Sequence, residues 1–240
     1  MSSPAAEPAL TSRQNPSERY SELIGLYRKM HYEGSAVASA EKTFNGAMLC
    51  THVDSIKEIV EKDDIQTVLD YGCGKGILYD PRVVIETPSG RKVGNMRDYW
   101  GVDVTCYDPA YTPNSDLPTE QSDLVICTDV IEHCPSEDID WIINEIFSYA
   151  KKSVFLAIAC YPASKSLPNG ENPHCFVRPA LWWRECFRAL KDAYPHLRYY
   201  ILLESLGPDD EDPAHKMKIF SSFVGGPPFN YQFLGENPDQ

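Results

Sequence analysis

Short apolar runs alternate with helical patterns along most of the chain, and the two kinds of segment predict different elements. Runs rich in aliphatic and aromatic residues predict six β-strands, over 67–71, 102–107, 124–128, 153–160, 198–204 and 218–224. Apolar residues spaced three and four apart predict helices over 18–30, 47–62, 135–150 and 179–194. Near-continuous apolar strands that alternate with helices predict an α/β fold with a doubly wound, mostly parallel sheet.

The two ends of this pattern differ from its middle. Only the acidic loop 207–215 separates the last two predicted strands, which leaves no room for a helix, so we expect an antiparallel hairpin at one sheet edge. Residues 1–17 hold three prolines and no apolar period, and are expected to be a disordered tail. We expect 18–240 to form a single domain, with 18–62 as a helical N-terminal lid and 63–224 as the core.

Composition and charge mainly exclude partners. The 240-residue chain is 42% hydrophobic and 24% charged, which is typical of a globular protein. Its net charge of −13 and its lack of basic runs make nucleic acid an unlikely partner. No apolar run approaches the roughly 20 residues of a membrane span, so we expect no membrane contact. Without a secretory signal pattern or C-x-x-C pairs, the eight cysteines are expected to be reduced and the protein cytoplasmic. The oligomeric state has no signal in the sequence.

A glycine-rich loop directly follows the first predicted strand. Segment 68–76 reads VLDYGCGKG, a D-x-G-x-G-x-G pattern. Glycines let the backbone turn tightly and approach a ligand, and a strand-end acid can accept a hydrogen bond from a ligand amino group. The loop can equally be a plain strand–helix turn. The residues expected to contact a ligand here are Asp70, Gly72, Cys73, Gly74 and Gly76.

A second acid, Asp108, closes the second predicted strand. A carboxylate here can accept hydrogen bonds from both hydroxyls of a ribose, and it can also simply form a turn before Pro109. A dinucleotide site would offer the same geometry, but its glycines usually read G-x-G-x-x-G. Because Asp70 precedes the first glycine of this loop, a different adenosine ligand is favoured.

Taken in order, these segments resemble the class I S-adenosyl-L-methionine-dependent methyltransferases. The family's first motif matches the glycine loop and its ribose-binding acid matches Asp108. Its fourth motif, a strand that ends in an acid, matches DLVICTDVIEHCP at 123–135. The resemblance covers about 47–224 and implies S-adenosyl-L-methionine as cofactor and S-adenosyl-L-homocysteine as product. It also implies cofactor contacts at Pro109, Asp129 and Val130, although Asp129 can alternatively cap the following helix.

Two intervals depart from the family pattern. The stretch from Gly76 to Asp108 is long and contains Pro81, so a long regular helix is not expected there. The stretch from Asp108 to Asp123 is short, so one of the family's seven strands is expected to be missing or vestigial. The position that contacts adenine in the family is displaced as a result, and we assign this contact to Asp116.

A third group of residues, Glu132, His133 and His174, is expected on the acceptor side. The first two follow the strand 124–128, and His174 follows the strand 153–160, so both loops should open at the same sheet edge. One neutral histidine can act as a general base on a hydroxyl or amine. Alternatively, the two histidines and a carboxylate can bind a divalent metal, or they can only hydrogen-bond and pack.

The pattern D-x-x-E-H with a distant histidine is similar to that of the small-RNA terminal 2′-O-methyltransferases, which use a metal there. The segment DPAY at 108–111 is also similar to the D-P-P-Y box of amino-methyltransferases. The sequence as a whole predicts a methyltransferase that acts on O or N of a small-molecule acceptor, with Glu132, His133 and His174 as catalytic residues and no assigned metal ligand. A metal-dependent RNA 2′-O-methyltransferase, a cofactor-binding protein without catalysis and a nicotinamide enzyme are the alternatives.

Overall fold

The computed structural model describes residues 10–35, 38–206 and 218–225. Its strands are β1 (Thr67–Tyr71), β2 (Ile85–Glu86), β3 (Lys92–Val93), β4 (Asp103–Tyr107), β5 (Ser122–Thr128), β6 (Ala150–Ala159), β7 (Arg198–Leu206) and β8 (Lys218–Gly225). Its α-helices are α1 (Glu18–Glu33), α2 (Ala47–Cys50), α3 (Val53–Lys62), α4 (Met96–Trp100), α5 (Ile139–Ser148) and α6 (Ala180–Ala189). In these residues no helix is both long and apolar enough to cross a bilayer.

Six strands form the main sheet in the order β4-β1-β5-β6-β7-β8. The first five are parallel, and β8 runs antiparallel to β7 at the edge. The predicted strands and the antiparallel edge pair are therefore confirmed, whereas the loop 207–215 lies outside the described residues. Between Asp108 and Asp123 the chain forms only a single 3₁₀ turn, Thr112–Asn114, so this interval adds no seventh strand.

Helices cover both faces of the sheet, as expected for a doubly wound α/β fold. On one face α3 and α4 pack on alternate strand residues such as Val68 and Ile126, with Trp100 of α4 fully buried. On the other face α5 and α6 pack on Leu69 and its neighbours, with Phe187 of α6 fully buried. Because both faces are apolar, the strands read as continuous hydrophobic runs.

The helix predicted over 47–62 is interrupted. Its two parts, α2 and α3, are separated at Thr51 and His52. The hydroxyl of Thr51 donates to the carbonyl oxygen of Met48 at 2.7 Å. A threonine side chain that binds a preceding carbonyl competes with the helical hydrogen-bond ladder, which accounts for the break. No long helix follows the glycine loop; the space holds a 3₁₀ turn, the β2–β3 hairpin and the short α4, as expected.

The prediction of a disordered tail over 1–17 is wrong for residues 10–17, while 1–9 lie outside the described residues. Arg13 donates from Nε to Glu145 at 2.7 Å and from Nη2 to the hydroxyl of Tyr71 at 2.8 Å. Ser17 accepts from the backbone N–H of Tyr20 at 3.0 Å and so caps α1. A polar segment without an apolar period is ordered here because its arginine and serine find half-buried partners.

Candidate functional site

A cavity of about 930 Å³ opens at the carboxyl ends of the central parallel strands, beneath α1. The loops after β1, β4, β5 and β6 form its walls, and α1 with the segment 38–49 covers it. Eleven of the thirteen predicted site residues line this cavity. They are Asp70, Gly72, Cys73, Gly74, Gly76, Asp108, Pro109, Asp129, Val130, His133 and His174.

The glycine loop is held in left-handed backbone conformations that only glycine adopts without strain. Gly72 has φ +88° and donates from its N–H to the carbonyl oxygen of Tyr107 at 2.7 Å. A Cβ on Gly72 would lie 2.3 Å from Cγ2 of Val130, and one on Gly74 would lie 2.9 Å from the carbonyl oxygen of Phe44. The loop therefore packs tightly on its neighbours while its backbone faces the cavity.

Asp70 is a buried acid at the carboxyl end of β1. Its Oδ2 accepts a hydrogen bond from the hydroxyl of Tyr79 at 2.7 Å. Burial raises the pKa of Asp70 to about 7, the Tyr79 hydrogen bond opposes that shift, and the charge of Asp108 adds to it. A cationic group in the cavity would favour the ionised form of this carboxyl. A perturbed acid in a cleft is typical of a functional site.

Asp108 organises the loops around it. Its Oδ2 accepts from the N–H of Gly74 at 2.9 Å and its Oδ1 accepts from the N–H of Ala110 at 2.8 Å. The second contact is the turn geometry that an aspartate before proline can form. Each carboxylate oxygen can accept a further hydrogen bond, and the side chain lines the cavity. Burial raises the pKa of Asp108 above its ordinary value.

Asp116, which the sequence assigned to an adenine contact, is exposed and does not line the cavity, so the structure does not bring it together with the other predicted cofactor residues. The N–H of Asp108 donates to the carbonyl oxygen of Asn114 at 2.8 Å, which closes the chain into the 3₁₀ turn before Asp116 is reached. Asn114 is the residue of this turn that meets the glycine loop, because its side-chain amide donates to the carbonyl oxygen of Gly74 at 3.0 Å.

The orientation of His174 is fixed by a backbone carbonyl. Its Nδ1 lies 2.6 Å from the carbonyl oxygen of Tyr161. A carbonyl oxygen only accepts hydrogen bonds, so Nδ1 carries the proton and Nε2 presents a lone pair. That Nε2 lies 3.9 Å from Oδ1 of Asp129. Asp129 itself has φ +59°, an uncommon conformation for a residue with a side chain.

His133 is held by a tyrosine of α1 that sequence reasoning missed. Its Nδ1 lies 2.9 Å from the hydroxyl of Tyr27, and that hydroxyl donates to the carbonyl oxygen of Pro173 at 3.1 Å. The Tyr27 hydroxyl therefore joins His133 to the loop that carries Pro173, and fixes the orientation of the imidazole ring. Burial lowers the pKa of His133 to about 4, against the opposing effect of Asp129, so the ring is neutral at pH 7.

Asp129, His133 and His174 form one cluster. Each offers one ligand atom, and the three atoms lie within 4.8 Å of one another. The two imidazole rings are edge to face with centroids 4.7 Å apart. Two imidazoles and a carboxylate suit a divalent transition metal, and rings that are oriented through their other nitrogen are usual at such sites. The donor set therefore fits a divalent metal as well as it fits acid–base chemistry.

Glu132 does not belong to this cluster, so the structure contradicts the expectation that its side chain lies with those of His133 and His174. Its side chain is fully buried and does not line the cavity. Its Oε1 accepts from the N–H of Ala159 at 2.7 Å, and Oε2 has no hydrogen-bond partner in the part of the chain that the structure describes. Burial raises the pKa of Glu132 well above its ordinary value. The carboxylate next to the histidines is that of Asp129.

Comparisons of this chain with protein-family models, curated proteins and solved structures find no match. An α/β fold of this kind serves many unrelated chemistries. Function therefore has to be inferred from the residues of the cavity.

Proposed function

We propose that this protein is an S-adenosylmethionine-dependent methyltransferase that acts on an oxygen or nitrogen of a small-molecule acceptor. The observation that carries this proposal is that one cavity combines two walls. One wall holds the glycine loop, Asp70 and Asp108, and the other holds Asp129, His133 and His174. The cavity's volume of about 930 Å³ falls in the range of about 300–1,000 Å³ that small-molecule sites occupy.

The first wall fits an adenosyl ligand with an amino acid end. The backbone of Gly72 and Gly74 borders the cavity, where any Cβ would meet neighbouring atoms. Asp70 is suited to the cationic amino group, because a positive charge stabilises its ionised form. Asp108 is suited to the ribose hydroxyls, because its side chain lines the cavity and a carboxylate oxygen can accept more than one hydrogen bond. Bound there, S-adenosylmethionine supplies a methyl group on a positively charged sulfur, which is already activated for transfer.

The chain's own contribution is therefore mainly to align the acceptor with that methyl group. Holding two reactants in line can supply about 7–11 kcal/mol of the barrier. In the proposed reaction His174 accepts the acceptor's proton on Nε2, since its Nδ1 proton is bound to the Tyr161 carbonyl. A positioned base adds about 10²–10⁴-fold where a proton must leave. The neutral His133 positions the acceptor by accepting a hydrogen bond.

A small acceptor is favoured over a polyanion. The net charge of −13 repels nucleic acid backbones in general. The cavity also lies beneath α1, whose residues Leu23, Tyr27 and Met30 line it and leave part of its wall apolar. We infer that the acceptor enters the cavity as a small molecule rather than lying across an open surface.

Calorimetric titration tests the cofactor half directly. The protein is titrated with S-adenosylmethionine, with S-adenosylhomocysteine and with NAD, and then assayed for turnover over a panel of hydroxyl and amine acceptors. Binding of the first two, with turnover of some acceptor, is the expected result. Binding without turnover across the panel would favour the non-catalytic alternative. Binding of NAD alone would replace the proposal with a nicotinamide enzyme.

The Asp129–His133–His174 cluster supports a second candidate, a metal-dependent methyltransferase of ribose 2′-hydroxyls. These three residues would hold the divalent metal, which supplies Lewis acidity that makes a hydroxyl easier to deprotonate. Dialysis against a chelator, followed by readdition of Mg²⁺, Mn²⁺, Co²⁺ or Zn²⁺, separates the two candidates. Activity on a short RNA that is lost with the metal and restored by readdition supports the second. Chelator-resistant activity on a small acceptor supports the first.

A further inference from the structure

His31 is a buried histidine of α1 that lines the cavity and has no role in the mechanism above. Its ring lies between two aromatic rings. The centroid of Phe44 is 4.5 Å away on one side, and that of Tyr111 is 5.0 Å away in a stacked arrangement on the other. A phenylalanine at this position could pack in the same way, so packing alone does not explain why residue 31 is a histidine.

The hydrogen-bonding capacity of the His31 ring is unused by the protein. Its Nδ1 is buried and has no hydrogen-bond partner in the described residues. Its Nε2 lies 3.9 Å from Oδ1 of Asp108, which is beyond hydrogen-bond distance. Burial lowers the pKa of His31 to about 4, so the ring is neutral at pH 7 and the pair is not an ion pair. Buried polar groups usually have partners, so Nε2, the nitrogen on the Asp108 side of the ring, is the atom that remains for a ligand in the cavity.

We propose that His31 is a ligand-contacting residue that, with Asp108, brackets one ribose hydroxyl of a nucleoside ligand. This inference rests on the proposed function, since it takes the adenosyl group as that nucleoside. Because Nε2 and Oδ1 are 3.9 Å apart, one hydroxyl oxygen can lie within about 3 Å of both atoms. The hydroxyl donates to the carboxylate of Asp108 and accepts from Nε2–H of His31.

The same helix would then serve both halves of the cavity. Tyr27 and His31 are four residues apart in α1, which places them on one helix face, one above the other. Tyr27 holds His133 on the acceptor side, and His31 faces Asp108 on the nucleoside side. Helix α1 is therefore inferred to be part of the nucleoside site and not only a cover over it.

The test compares His31→Phe with the wild-type protein by calorimetry. The ligands are S-adenosylhomocysteine and its 2′-deoxy and 3′-deoxy forms. Phenylalanine keeps the aromatic stack and removes both nitrogens. We expect His31→Phe to weaken S-adenosylhomocysteine binding roughly 5- to 10-fold, the value of one net hydrogen bond. For the deoxy form that lacks the bracketed hydroxyl, we expect wild type and variant to bind equally.

His196→Phe, at an exposed position away from the cavity, is the matched control and should leave the affinity for all three ligands unchanged.

A second variant, His31→Gln, keeps a side-chain N–H and should recover part of the lost affinity. Equal binding of S-adenosylhomocysteine by wild type and His31→Phe would overturn the role of His31 while leaving the proposed function intact. An equal loss for all three ligands would also overturn it, because it would indicate a packing effect. Failure of the wild-type protein to bind any of the three ligands would overturn the proposed function, and this inference with it.

Discussion

The two walls of the cavity are built in different ways. The glycine-loop wall joins the ends of two neighbouring strands and is held by hydrogen bonds that its backbone N–H groups donate, from Gly72 to the carbonyl oxygen of Tyr107 and from Gly74 to the carboxylate of Asp108. The histidine wall comes from side chains of distant segments, each oriented by a partner far along the chain, such as Tyr27 for His133. A backbone-built wall needs glycine at fixed positions, whereas a side-chain-built wall needs particular pairs of functional groups. Mutations in the histidine wall should therefore mainly lower kcat, whereas mutations in the glycine-loop wall should mainly lower the free energy of unfolding.

The largest effect is expected on the histidine wall. His174→Ala removes the proposed base and should lower kcat by about 10²–10⁴-fold, while cofactor affinity stays near that of the wild type. Steady-state kinetics and calorimetry on the same preparations measure the two effects. Glu132→Gln is the control, because Glu132 does not line the cavity and an amide oxygen can still accept the hydrogen bond from the N–H of Ala159. If Glu132→Gln abolished turnover and His174→Ala did not, the assignment of this wall would be wrong.

In the glycine-loop wall, a substitution should instead destabilise the fold, because it strains the backbone. Gly72→Ala combines a left-handed backbone with a Cβ 2.3 Å from Val130, and should lower the free energy of unfolding by about 2–4 kcal/mol. Gly90→Ala is a matched control, since Gly90 has φ +77° but no atom within 4 Å of its Cβ. It should cost only about 1–2 kcal/mol of backbone strain. Urea unfolding measures both, and equal losses would contradict the close packing on Val130.

Tyr27→Phe should affect the histidine wall through its supporting hydrogen bond. The change removes the hydrogen bond between the Tyr27 hydroxyl and Nδ1 of His133, which should lower the free energy of unfolding by about 0.5–1.5 kcal/mol. It should also reduce kcat more than it raises KM, because the His133 ring loses its fixed orientation. Tyr32→Phe on the same helix, where the side chain is half exposed, is the control. If the two variants behaved identically in unfolding and in kinetics, the proposed role of Tyr27 in orienting His133 would be contradicted.

A pH dependence of stability also belongs to the glycine wall. Burial raises the pKa of Asp70 from 3.8 to about 7, so the folded protein keeps this proton after the unfolded chain has released it. The free energy of unfolding should therefore fall as pH rises through this interval, by at most about 1.4 kcal/mol per unit. Asp70→Asn should abolish that slope, and the exposed Asp103→Asn should keep it. Parallel slopes for wild type and Asp70→Asn, from unfolding at several pH values, would show that Asp70 titrates normally.

The difference between the walls also decides what could be predicted from the sequence. Apolar periodicity predicted all six strands of the main sheet, since both faces of that sheet are buried, and the strand-end positions of Asp70 and Asp108 followed from it. The order of residues 10–17 could not be predicted, because it depends on Arg13 meeting Glu145 across the fold. The burial of the Glu132 side chain could not be predicted either, because it depends on a hydrogen bond from the N–H of Ala159 in another segment. Local backbone structure can be predicted from one sequence, but the tertiary contacts of individual side chains cannot.

Tyr27 and His31 illustrate the same limit. In the sequence they are simply part of the helical pattern predicted over 18–30 and of the polar residues after it. Only the packing of α1 over the strand ends brings one of them to His133 and the other to Asp108. Asp116 shows the opposite error. Its position in the sequence suggested a place in the site, but after the 3₁₀ turn Thr112–Asn114 its side chain does not line the cavity.

A crystal structure of the protein grown with S-adenosylhomocysteine tests the proposed cofactor site directly. We expect the ligand to occupy the cavity beneath α1, with its amino group at Asp70, its ribose hydroxyls at Asp108 and its sulfur facing His133 and His174. A ligand bound elsewhere on the molecule while this cavity stays empty would contradict it.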